Sequence, residues 1–343
     1  MEETREDLKS ILPYLPLIHR SLSLFWPPKA LESLKALALG PDLSRVDSGE
    51  VLFDAILDLR ESVGLAGDPL AWRAAEGYAL FFDELISRMN SRVWFGEVIP
   101  ALANLLLRLP SLLEAHYHDS DGNVGEGKSG LRIMYQQEPG IVFLNQELIA
   151  ALLACAFFCL FPASTRGENY LPTINFDYLF ASLHPNFKQN QEQKIKCLTH
   201  YFERISLSMP TGFVSFERKV IPFEQSSFSI SYPEAVLWRK STVPLCPFKA
   251  FSSGLIEDQK YDALEVDFAN EYLGGGALHR GCVQVFLFEL EWVDVISLSF
   301  ILLKNTSMLL FVFPSYSKTC NCILCSFWYF LFLKQYVRQE TKC

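Results

Sequence analysis

The stretch EVDFANEYLGGG, residues 265–276, decides how this sequence is interpreted, and GCVQ follows it at residues 281–284. Its first residues predict the end of a strand that presents acidic and amide side chains. Three consecutive glycines then predict a loop whose backbone N–H groups a diphosphate can approach closely, since glycine has no side chain in the way. A junction whose glycines serve only for turning is the plainer interpretation. Asp267 and Asn270 beside the loop favour a ligand site.

The sequence before residue 130 predicts helices. Asp47 followed by Glu50 has the spacing of a capping box, with Asp in place of the usual Ser or Thr. Apolar residues then recur at helical spacing in three stretches. They are Leu52, Ala55, Ile56 and Leu59; Ala75, Tyr78, Ala79, Phe82, Leu85, Ile86 and Met89; and residues 98–109, with Pro100 near the start, where a helix tolerates proline. Since alternation of period two is scarce here, we expect an all-helical accessory domain over residues 1–130.

Helices give way to strands in the next part of the chain. Asn145 is placed to cap a helix that runs to Phe161, and its apolar run is shorter than the roughly 18 residues of a membrane helix, so we expect a core helix. Another helical stripe follows, at Ile195, Leu198, Phe202 and Ile205. Short aromatic and β-branched segments then predict strands at residues 211–220, 227–232 and 264–268. The fold class is therefore α+β or α/β, with a mixed sheet and helices over residues 131–284.

Residues 285–343 are a different kind of sequence. All 18 glycines of the chain lie before this segment, which holds a single proline, Pro314. An α/β domain normally needs glycine at its turns, so we interpret the segment as a hydrophobic tail outside the domain. Its apolar runs are interrupted well short of the length of a membrane helix, and no membrane span is expected.

Composition and charge restrict the class of protein. The chain has 343 residues, half of them hydrophobic and a fifth charged, so disordered and collagen-like classes are excluded. A net charge of −9 argues against broad binding to nucleic acid, which needs basic surface to replace counterions. The acidic start is not followed by an apolar segment, so no secretory signal is expected. Nine cysteines without framework spacing indicate reduced thiols of an intracellular protein.

Two other patterns suggest chemistry but lack its context. GNVGEGKS, residues 122–129, satisfies the phosphate-loop pattern, which needs a buried strand before it and a helix after it. Polar residues precede it and Pro139-Gly140 follows soon after, so we expect a surface loop. His116, His118, Asp119 and Asp121 crowd together, as do Cys320, Cys322 and Cys325, but neither group offers the closed ligand set of a structural zinc site. No metal site is predicted.

The segment at residues 265–284 resembles the signature of poly(ADP-ribose) glycohydrolases, in particular of the plant branch. Other segments agree with this resemblance over most of residues 1–284. They are GIVFLNQELIA at 140–150, AFFCLFP at 156–162, INF at 174–176, PTG at 210–212 and LIED at 255–258. The resemblance implies a helical accessory domain in front of a macrodomain, a mixed α/β fold that binds ADP-ribose. It also implies cleavage of ribose–ribose O-glycosidic bonds, with no metal or organic cofactor.

The resemblance assigns roles to residues by position. Ile256 and Glu257 would contact the adenine, and Asp267 and Asn270 would hold the ribose next to the scissile bond. The diphosphate would lie on the triple glycine, and Gln284 would help to order the site. The substrate-binding set is Ile256, Glu257, Asp267, Asn270, Gly274, Gly275, Gly276 and Gln284.

The chain departs from the family pattern after Gln284. The family carries Glu-Glu at the next two positions, and its second glutamate would protonate the leaving ribose oxygen and then activate water. This chain has Val285 and Phe286 there, and neither side chain can transfer a proton. No residue is therefore assigned as catalytic, and the macrodomain is expected to be incomplete. Because thymine-rich RNA encodes Phe, Leu, Ile, Val, Ser, Cys and Tyr, one hypothesis for residues 285–343 is a translated intron.

Three functional hypotheses stay open. The chain is a family enzyme that is active only in a longer product of the same gene, a catalytically dead ADP-ribose binder, or a truncated product that does not fold past the helical domain. The expected partner is poly(ADP-ribose), or ADP-ribose on modified proteins. We expect no direct sequence-specific contact with nucleic acid and no membrane attachment. We also expect the chain to be a monomer that is found in the nucleus and cytoplasm and acts in the response to DNA damage.

Overall fold

A computed structural model of the chain describes twelve parts of it. They are residues 5–121, 130–133, 138–168, 171, 173–183, 189–219, 235–244, 252–253, 264–266, 278–279, 310–312 and 329–333. The helices in these parts are α1 (Glu6–Ile11), α2 (Pro28–Ala38), α3 (Pro41–Ser44), α4 (Gly49–Ser62), α5 (Ala74–Ala79), α6 (Arg88–Val93), α7 (Ile99–Asp121), α8 (Gln146–Phe157), α9 (Ala163–Glu168), α10 (Asp177–Ala181), α11 (Gln189–Leu207) and α12 (Ala235–Lys240). The strands are β1 (Ile18–Arg20), β2 (Ser23–Phe25), β3 (Gly140–Asn145), β4 (Phe213–Lys219), β5 (Leu264–Val266), β6 (Leu310–Val312) and β7 (Tyr329–Leu333).

The predicted helical first domain is confirmed, except for one β-hairpin near the N-terminus that the sequence did not predict. Strand β1 pairs antiparallel with β2, with Ile18 opposite Phe25. The two turn residues, Ser21 and Leu22, both have positive φ (49° and 67°), which is the geometry of a two-residue hairpin turn that matches the twist of the strands. The turn was missed because it lacks the Asn and Gly that usually supply this conformation.

The N-cap residue of α4 lies one position later than the predicted one. The N-cap is Ser48, whose side chain accepts a hydrogen bond from the Val51 N–H, and Asp47 does not have this role. Distant Asp83 accepts two more hydrogen bonds, from the N–H groups of Gly49 (2.7 Å) and Glu50 (3.3 Å). A carboxylate from another segment thereby satisfies N–H groups that the first turn of a helix leaves without partners.

The long apolar stripe predicted over residues 75–89 is broken in the structure. Helix α5 continues as a π-helical turn at Leu80–Leu85, and Ile86 is extended (φ −90°, ψ 155°). Ser87 then caps α6 by accepting a hydrogen bond from the Asn90 N–H at 3.2 Å. A second π-helical turn, Trp94–Val98, leads into α7. The break therefore lies directly before Ser87, an N-cap residue at which a new helix begins.

Helix α7 is the central element of the hydrophobic core. It packs against α2 and α8, and its inward residues Leu102, Ala103, Leu106, Leu109 and Leu113 are fully buried. Within the described residues, the continuous helix Arg88–His118 is long and apolar enough to cross a membrane. Core helices meet the same criterion, and this one buries its apolar face against other helices. The expectation of no membrane attachment stays a prediction.

Proline occurs inside α7 at Pro110, and a tryptophan compensates for it. Proline has no N–H group, so the carbonyl of Leu106, four residues earlier, lacks its helical donor. The indole N–H of Trp26 donates to this carbonyl at 2.6 Å. The segment before the α2 helix is thus attached to α7 by a hydrogen bond that an ordinary helix would not have available.

The predicted core helix after Asn145 is confirmed, but it ends earlier than expected. Asn145 accepts a hydrogen bond from the Leu148 N–H at 2.8 Å, and the apolar run that follows is buried. The helix ends at Phe157, four residues before the predicted end, and Cys159 has a positive φ of 54°. The buried guanidinium of Arg60 donates to the Cys159 carbonyl, so a tertiary contact stabilises this left-handed end. No sequence pattern near residue 159 marks it.

Among the described residues, two small sheets are built from strands that follow α7 in the chain. Strand β3 pairs antiparallel with β4, and β4 pairs in parallel with β7, giving the order β3-β4-β7. Strand β5 pairs with β6. The strand predicted at residues 211–220 is confirmed as β4, and the one at 264–268 is described over Leu264–Val266. The segment predicted as a strand at 227–232 lies outside the described residues.

Buried residues on both sides of residue 130 belong to one hydrophobic cluster. The cluster contains side chains from α1 through β4, and it also includes Leu278. Two free cysteines, Cys155 and Cys159, are fully buried within it. No break in this core marks residue 130, and the boundary proposed there stays a prediction.

One glycine allows two helices to approach each other closely. An added Cβ at Gly77 in α5 would overlap the backbone carbonyl of Phe180 in α10. The next residue, Tyr78, stacks on Phe180 with ring centroids 3.8 Å apart and donates to the Phe157 carbonyl at 2.7 Å. Because the opposing atoms belong to the backbone, rotation of a side chain cannot relieve such an overlap.

We expect Gly77→Ala to lower the free energy of unfolding by about 1–3 kcal/mol, because the new methyl group forces α5 and α10 apart. Gly96→Ala is the matched control, since nothing lies within 4 Å of an added Cβ there. The control should be neutral or raise stability by up to about 1 kcal/mol, since alanine favours helical structure. Urea unfolding of both variants measures the difference, and equal stabilities would contradict the close approach.

A second prediction concerns the carbonyl of Leu106. Trp26→Phe should destabilise the chain by about 1–3 kcal/mol, because this buried acceptor loses its donor. Adding Pro110→Ala in the Trp26→Phe background restores an N–H four residues along the helix, and about 1 kcal/mol should return. Urea unfolding of the single and double variants tests this. A double variant that is no more stable than Trp26→Phe would show that the indole hydrogen bond is not the compensation described.

Candidate functional site

The residues that the sequence assigned to substrate lie outside the described parts of the chain. They are Ile256, Glu257, Asp267, Asn270, Gly274, Gly275, Gly276 and Gln284, and the replaced positions Val285 and Phe286 lie outside as well. The structure describes the chain on both sides of the triple glycine. Strand β5 ends directly before Asp267, and Leu278 and His279 follow two residues after Gly276.

The other candidate motifs have ordinary structural surroundings where they are described. Helix α7, and not a strand, precedes residues 122–129, so the structural context of a phosphate loop fails on that side. His116 Nε2 accepts a hydrogen bond from the Leu131 N–H at 2.8 Å, which gives this histidine a structural role. Among the described residues, no group of three His, Cys, Asp or Glu side chains is arranged to hold a metal ion.

The turn at Leu278 and His279 contacts helices α10 and α11. Leu278 is 5% exposed and belongs to the hydrophobic core. Lys194 of α11, itself 3% exposed, donates from Nζ to the backbone carbonyl of His279 at 3.2 Å. The imidazole lies beside the ring of Tyr178 in α10, with centroids 4.7 Å apart. Three contacts of different kinds therefore hold two adjacent residues.

The charges around this turn favour a neutral imidazole. Burial lowers the pKa of His279 below its usual 6.5, and the Lys194 ammonium acts in the same direction. The carboxylate of Asp177 opposes both effects. His279 is thus a neutral aromatic side chain at physiological pH, which suits its contact with Tyr178.

Asp177 is a buried carboxylate at the start of α10. Its Oδ2 accepts a hydrogen bond from the Ala71 N–H at 2.7 Å, whereas the buried Oδ1 has no hydrogen-bond partner among the described residues. Burial raises the pKa of this carboxyl group above its usual 3.8, although hydrogen bonds from backbone N–H groups and the nearby Arg60 guanidinium counteract the shift. The carboxylate ties the loop before α5 to α10.

Arg60 and Asp68 organise the loop that precedes this contact. The Arg60 guanidinium donates to the carbonyls of Asp68 (2.6 Å) and Leu65 (3.4 Å) in addition to Cys159. The Asp68 carboxylate accepts hydrogen bonds from the N–H groups of Ala163 (2.6 Å) and Ser164 (2.9 Å) at the start of α9. These contacts connect α4, the end of α8 and α9.

A buried thiol near this network is not a nucleophile. Burial raises the pKa of Cys159 to about 12, and the charge of Asp177 adds to the effect. The thiol is therefore protonated at physiological pH, and a protonated thiol is a poor nucleophile.

Sequence reasoning missed Tyr178, Lys194 and His279. A signal existed for Lys194, since it lies four residues before Leu198 and so extends the apolar stripe of α11 backwards. A lysine on the buried face of a helix needs a hydrogen-bond acceptor, and this requirement could have drawn attention to it. Tyr178 follows the INF segment directly, but nothing in the sequence pairs it with His279.

The Asp177→Asn variant should become more stable relative to the wild-type chain as the pH rises. The pKa of Asp177 is higher in the folded chain than in the unfolded chain, so the protonated carboxyl group favours the folded state more than the charged one does. This stabilisation is fully present below about pH 3.8 and is lost as the pH rises through the folded pKa. Asparagine removes the buried charge and can still accept from the Ala71 N–H. Thermal unfolding between acidic and neutral pH measures the difference.

Exposed Asp54 of α4 provides the control, since the same substitution there removes a charge that solvent surrounds. The stability difference of Asp54→Asn should change much less with pH than that of Asp177→Asn. Parallel curves for the two variants would contradict the buried state of Asp177.

Comparisons with known proteins agree with the resemblance of the signature. A family model described as the helical domain of poly(ADP-ribose) glycohydrolase matches residues 86–218. A second, described as the macro domain fold of poly(ADP-ribose) glycohydrolase, matches residues 235–320. The second match continues past Gln284, so the expected departure from the family at that residue stays a prediction.

Curated relatives give the same family. Poly(ADP-ribose) glycohydrolase 1 of Arabidopsis thaliana is 57% identical over 282 residues, which are 82% of this chain and 50% of the relative. Probable poly(ADP-ribose) glycohydrolase 2 of the same plant is 53% identical over 82% of this chain and 54% of its own length. Poly(ADP-ribose) glycohydrolase 1 of Caenorhabditis elegans is 37% identical over 41% of this chain and 15% of the relative.

The chain spans about half the length of the plant relatives that it matches. The two family models show a helical domain followed by a region of macro domain fold, and the described helices agree with the first of them. The chain belongs to the poly(ADP-ribose) glycohydrolase family and is similar to its plant members.

Proposed function

We propose that this chain recognises ADP-ribose units of poly(ADP-ribose) through the family's signature residues, and that it does not cleave the polymer. The family reaction is hydrolysis of the ribose–ribose O-glycosidic bond. The observation that carries the proposal is the sequence at the catalytic position, where Val285 and Phe286 follow Gln284.

Recognition rests on the residues that the chain retains. By their positions in the signature, Asp267 and Asn270 would exchange hydrogen bonds with the ribose next to the scissile bond. Gly274, Gly275 and Gly276 have no side chains, so their backbone N–H groups would be open to the diphosphate as an anion site. Ile256 and Glu257 would contact the adenine, and Gln284 would order the loop.

Turnover fails because the two sequence positions at which the family carries glutamate have no carboxyl group here. Departure of the ribose oxygen needs a proton at the moment the glycosidic bond breaks, and the positive charge that develops on the sugar needs a nearby carboxylate. Val285 and Phe286 supply neither. The next carboxylates, Glu289 and Glu291, lie three or more residues further along the chain. In an extended segment three residues span about 10 Å, too far for a proton transfer that tolerates errors of about 1 Å.

A contact in the helical part supports recognition by this chain itself. Leu278 and His279, two residues beyond the triple glycine, are held by the core, by Lys194 and by Tyr178. In the alternative of a product that does not fold past its helical domain, this contact would not form. A family enzyme that is active only in a longer product of the same gene is the remaining alternative, and it too predicts no turnover here.

The cellular setting follows from the same proposal. Poly(ADP-ribose) and ADP-ribose on modified proteins are the partners, with nucleus and cytoplasm as the compartments and the response to DNA damage as the context. Direct sequence-specific binding to nucleic acid has no role in it, and neither does a metal, an organic cofactor or a membrane. The chain acts as a monomer.

The purified chain should release no ADP-ribose from automodified poly(ADP-ribose), since its proton donor is missing. The assay measures free ADP-ribose over time, with the full-length Arabidopsis relative, 57% identical to this chain, as positive control. Clear release by this chain would contradict the proposal. Glu289→Gln and Glu291→Gln variants would then identify whether one of these carboxylates is responsible.

A further inference from the structure

The contact at Leu278 and His279 joins two regions that different family models match. Helices α10 and α11 lie within residues 86–218, which the helical-domain model matches, whereas the turn lies within residues 235–320, which the macro-domain model matches. We infer that Tyr178 and Lys194 form a docking site that positions the triple-glycine loop on the helical part of the chain. This inference deepens the proposed function and rests on it for its link to ADP-ribose.

The hydrogen bond from Lys194 fixes the backbone of the loop. Its Nζ donates to the carbonyl of His279, so the bond does not depend on which side chain residue 279 has. Lys194 is 3% exposed, and moving a buried ammonium away from an acceptor is costly. The backbone of residue 279 is therefore held to α11 more firmly than a surface lysine could hold it.

Two further contacts fix the direction of the turn. Leu278 anchors it in the hydrophobic core, with 5% of the residue exposed. Tyr178 contacts the imidazole of His279 from the neighbouring helix, α10. A backbone contact, an apolar anchor and a ring contact on two consecutive residues leave the turn little freedom to rotate or slide.

The two helices that provide these contacts are themselves held together. Helices α10 and α11 are in contact, and the hydroxyl oxygen of Ser182, directly after α10, lies 3.4 Å from Gln191 Oε1 of α11. Gln191 lies three residues, about one helical turn, before Lys194. Tyr178 and Lys194 thus lie on two helices that contact each other, and both face the turn at Leu278 and His279.

The short covalent link between Leu278 and Gly276 extends this constraint to the proposed diphosphate site. Gly276 precedes Leu278 by two residues, and two residues span at most about 7 Å. Because Leu278 is held, Gly276 must lie within this distance of a fixed point. Tyr178 and Lys194 act as positioning residues, and they need not touch the ligand.

Hydrogen exchange of the ligand-free full chain tests this site, read by mass spectrometry on a peptide that covers residues 271–284. Lys194→Met should speed exchange of this peptide about tenfold, since the loop loses a buried hydrogen bond. Lys196→Met is the matched control on the same helix, where Lys196 is 44% exposed and pairs with Glu192. The control should leave the peptide unchanged, and a peptide from α4 reports global stability in every variant.

Tyr178→Leu keeps the inference testable if loss of Lys194 unfolds the chain, because Tyr178 is 46% exposed and its replacement leaves no buried hole. We expect exchange of the same peptide to rise about threefold, in keeping with loss of one ring contact. Exchange that stays at the wild-type rate in both variants would overturn the docking site. So would a wild-type peptide that exchanges as fast as an unfolded chain.

Addition of ADP-ribose separates this inference from the proposed function. If both hold, the ligand slows exchange of residues 271–284 in the wild-type chain and does so less in Lys194→Met. If the ligand has no effect while Lys194→Met still speeds exchange, ADP-ribose recognition is refuted and the docking site stands.

Discussion

The close approach of α5 and α10 at Gly77 is the constraint on which the rest of the described structure depends. Because residue 77 has no side chain, the Phe180 backbone lies against α5, and Tyr78 stacks on the Phe180 ring. That position of α10 brings the Asp177 carboxylate to the Ala71 N–H and the Tyr178 ring to His279. The glycine in α5 thus sets the position of α10 and, through Tyr178, the position of the turn at Leu278 and His279.

The local features of the fold could be predicted from the sequence, and the tertiary ones could not. Apolar residues at helical spacing predicted α4, α8 and α11, and the cap at Asn145 was identified by residue type. The early end of α8 escaped prediction because its cause, the Arg60 guanidinium on the Cys159 carbonyl, comes from a segment 99 residues away. The hairpin at Ser21 and Leu22 escaped because its turn residues are unusual for positive φ.

The candidate site shows the same division between local and distant information. The signature residues were identified by their types and order alone, from Asp267 to Gln284, and these residues lie outside the described parts of the chain. The contacts that hold the neighbouring turn come from Tyr178 and Lys194, which precede it by about 100 and 85 residues. Pairing across such separations follows from the packing of α10 and α11, and no local sequence pattern encodes it.

Recognition and cleavage place different demands on a chain of this family. Binding needs backbone N–H groups and a few hydrogen-bonding side chains in fixed positions, whereas cleavage also needs one carboxyl group placed to about 1 Å. Isothermal titration calorimetry of the full chain with ADP-ribose tests most directly whether the chain binds the ligand, with Asn270→Ala as the control. We expect saturable binding that the control weakens at least about tenfold, as loss of a hydrogen-bonding partner implies. A folded chain that takes up no ADP-ribose would contradict it.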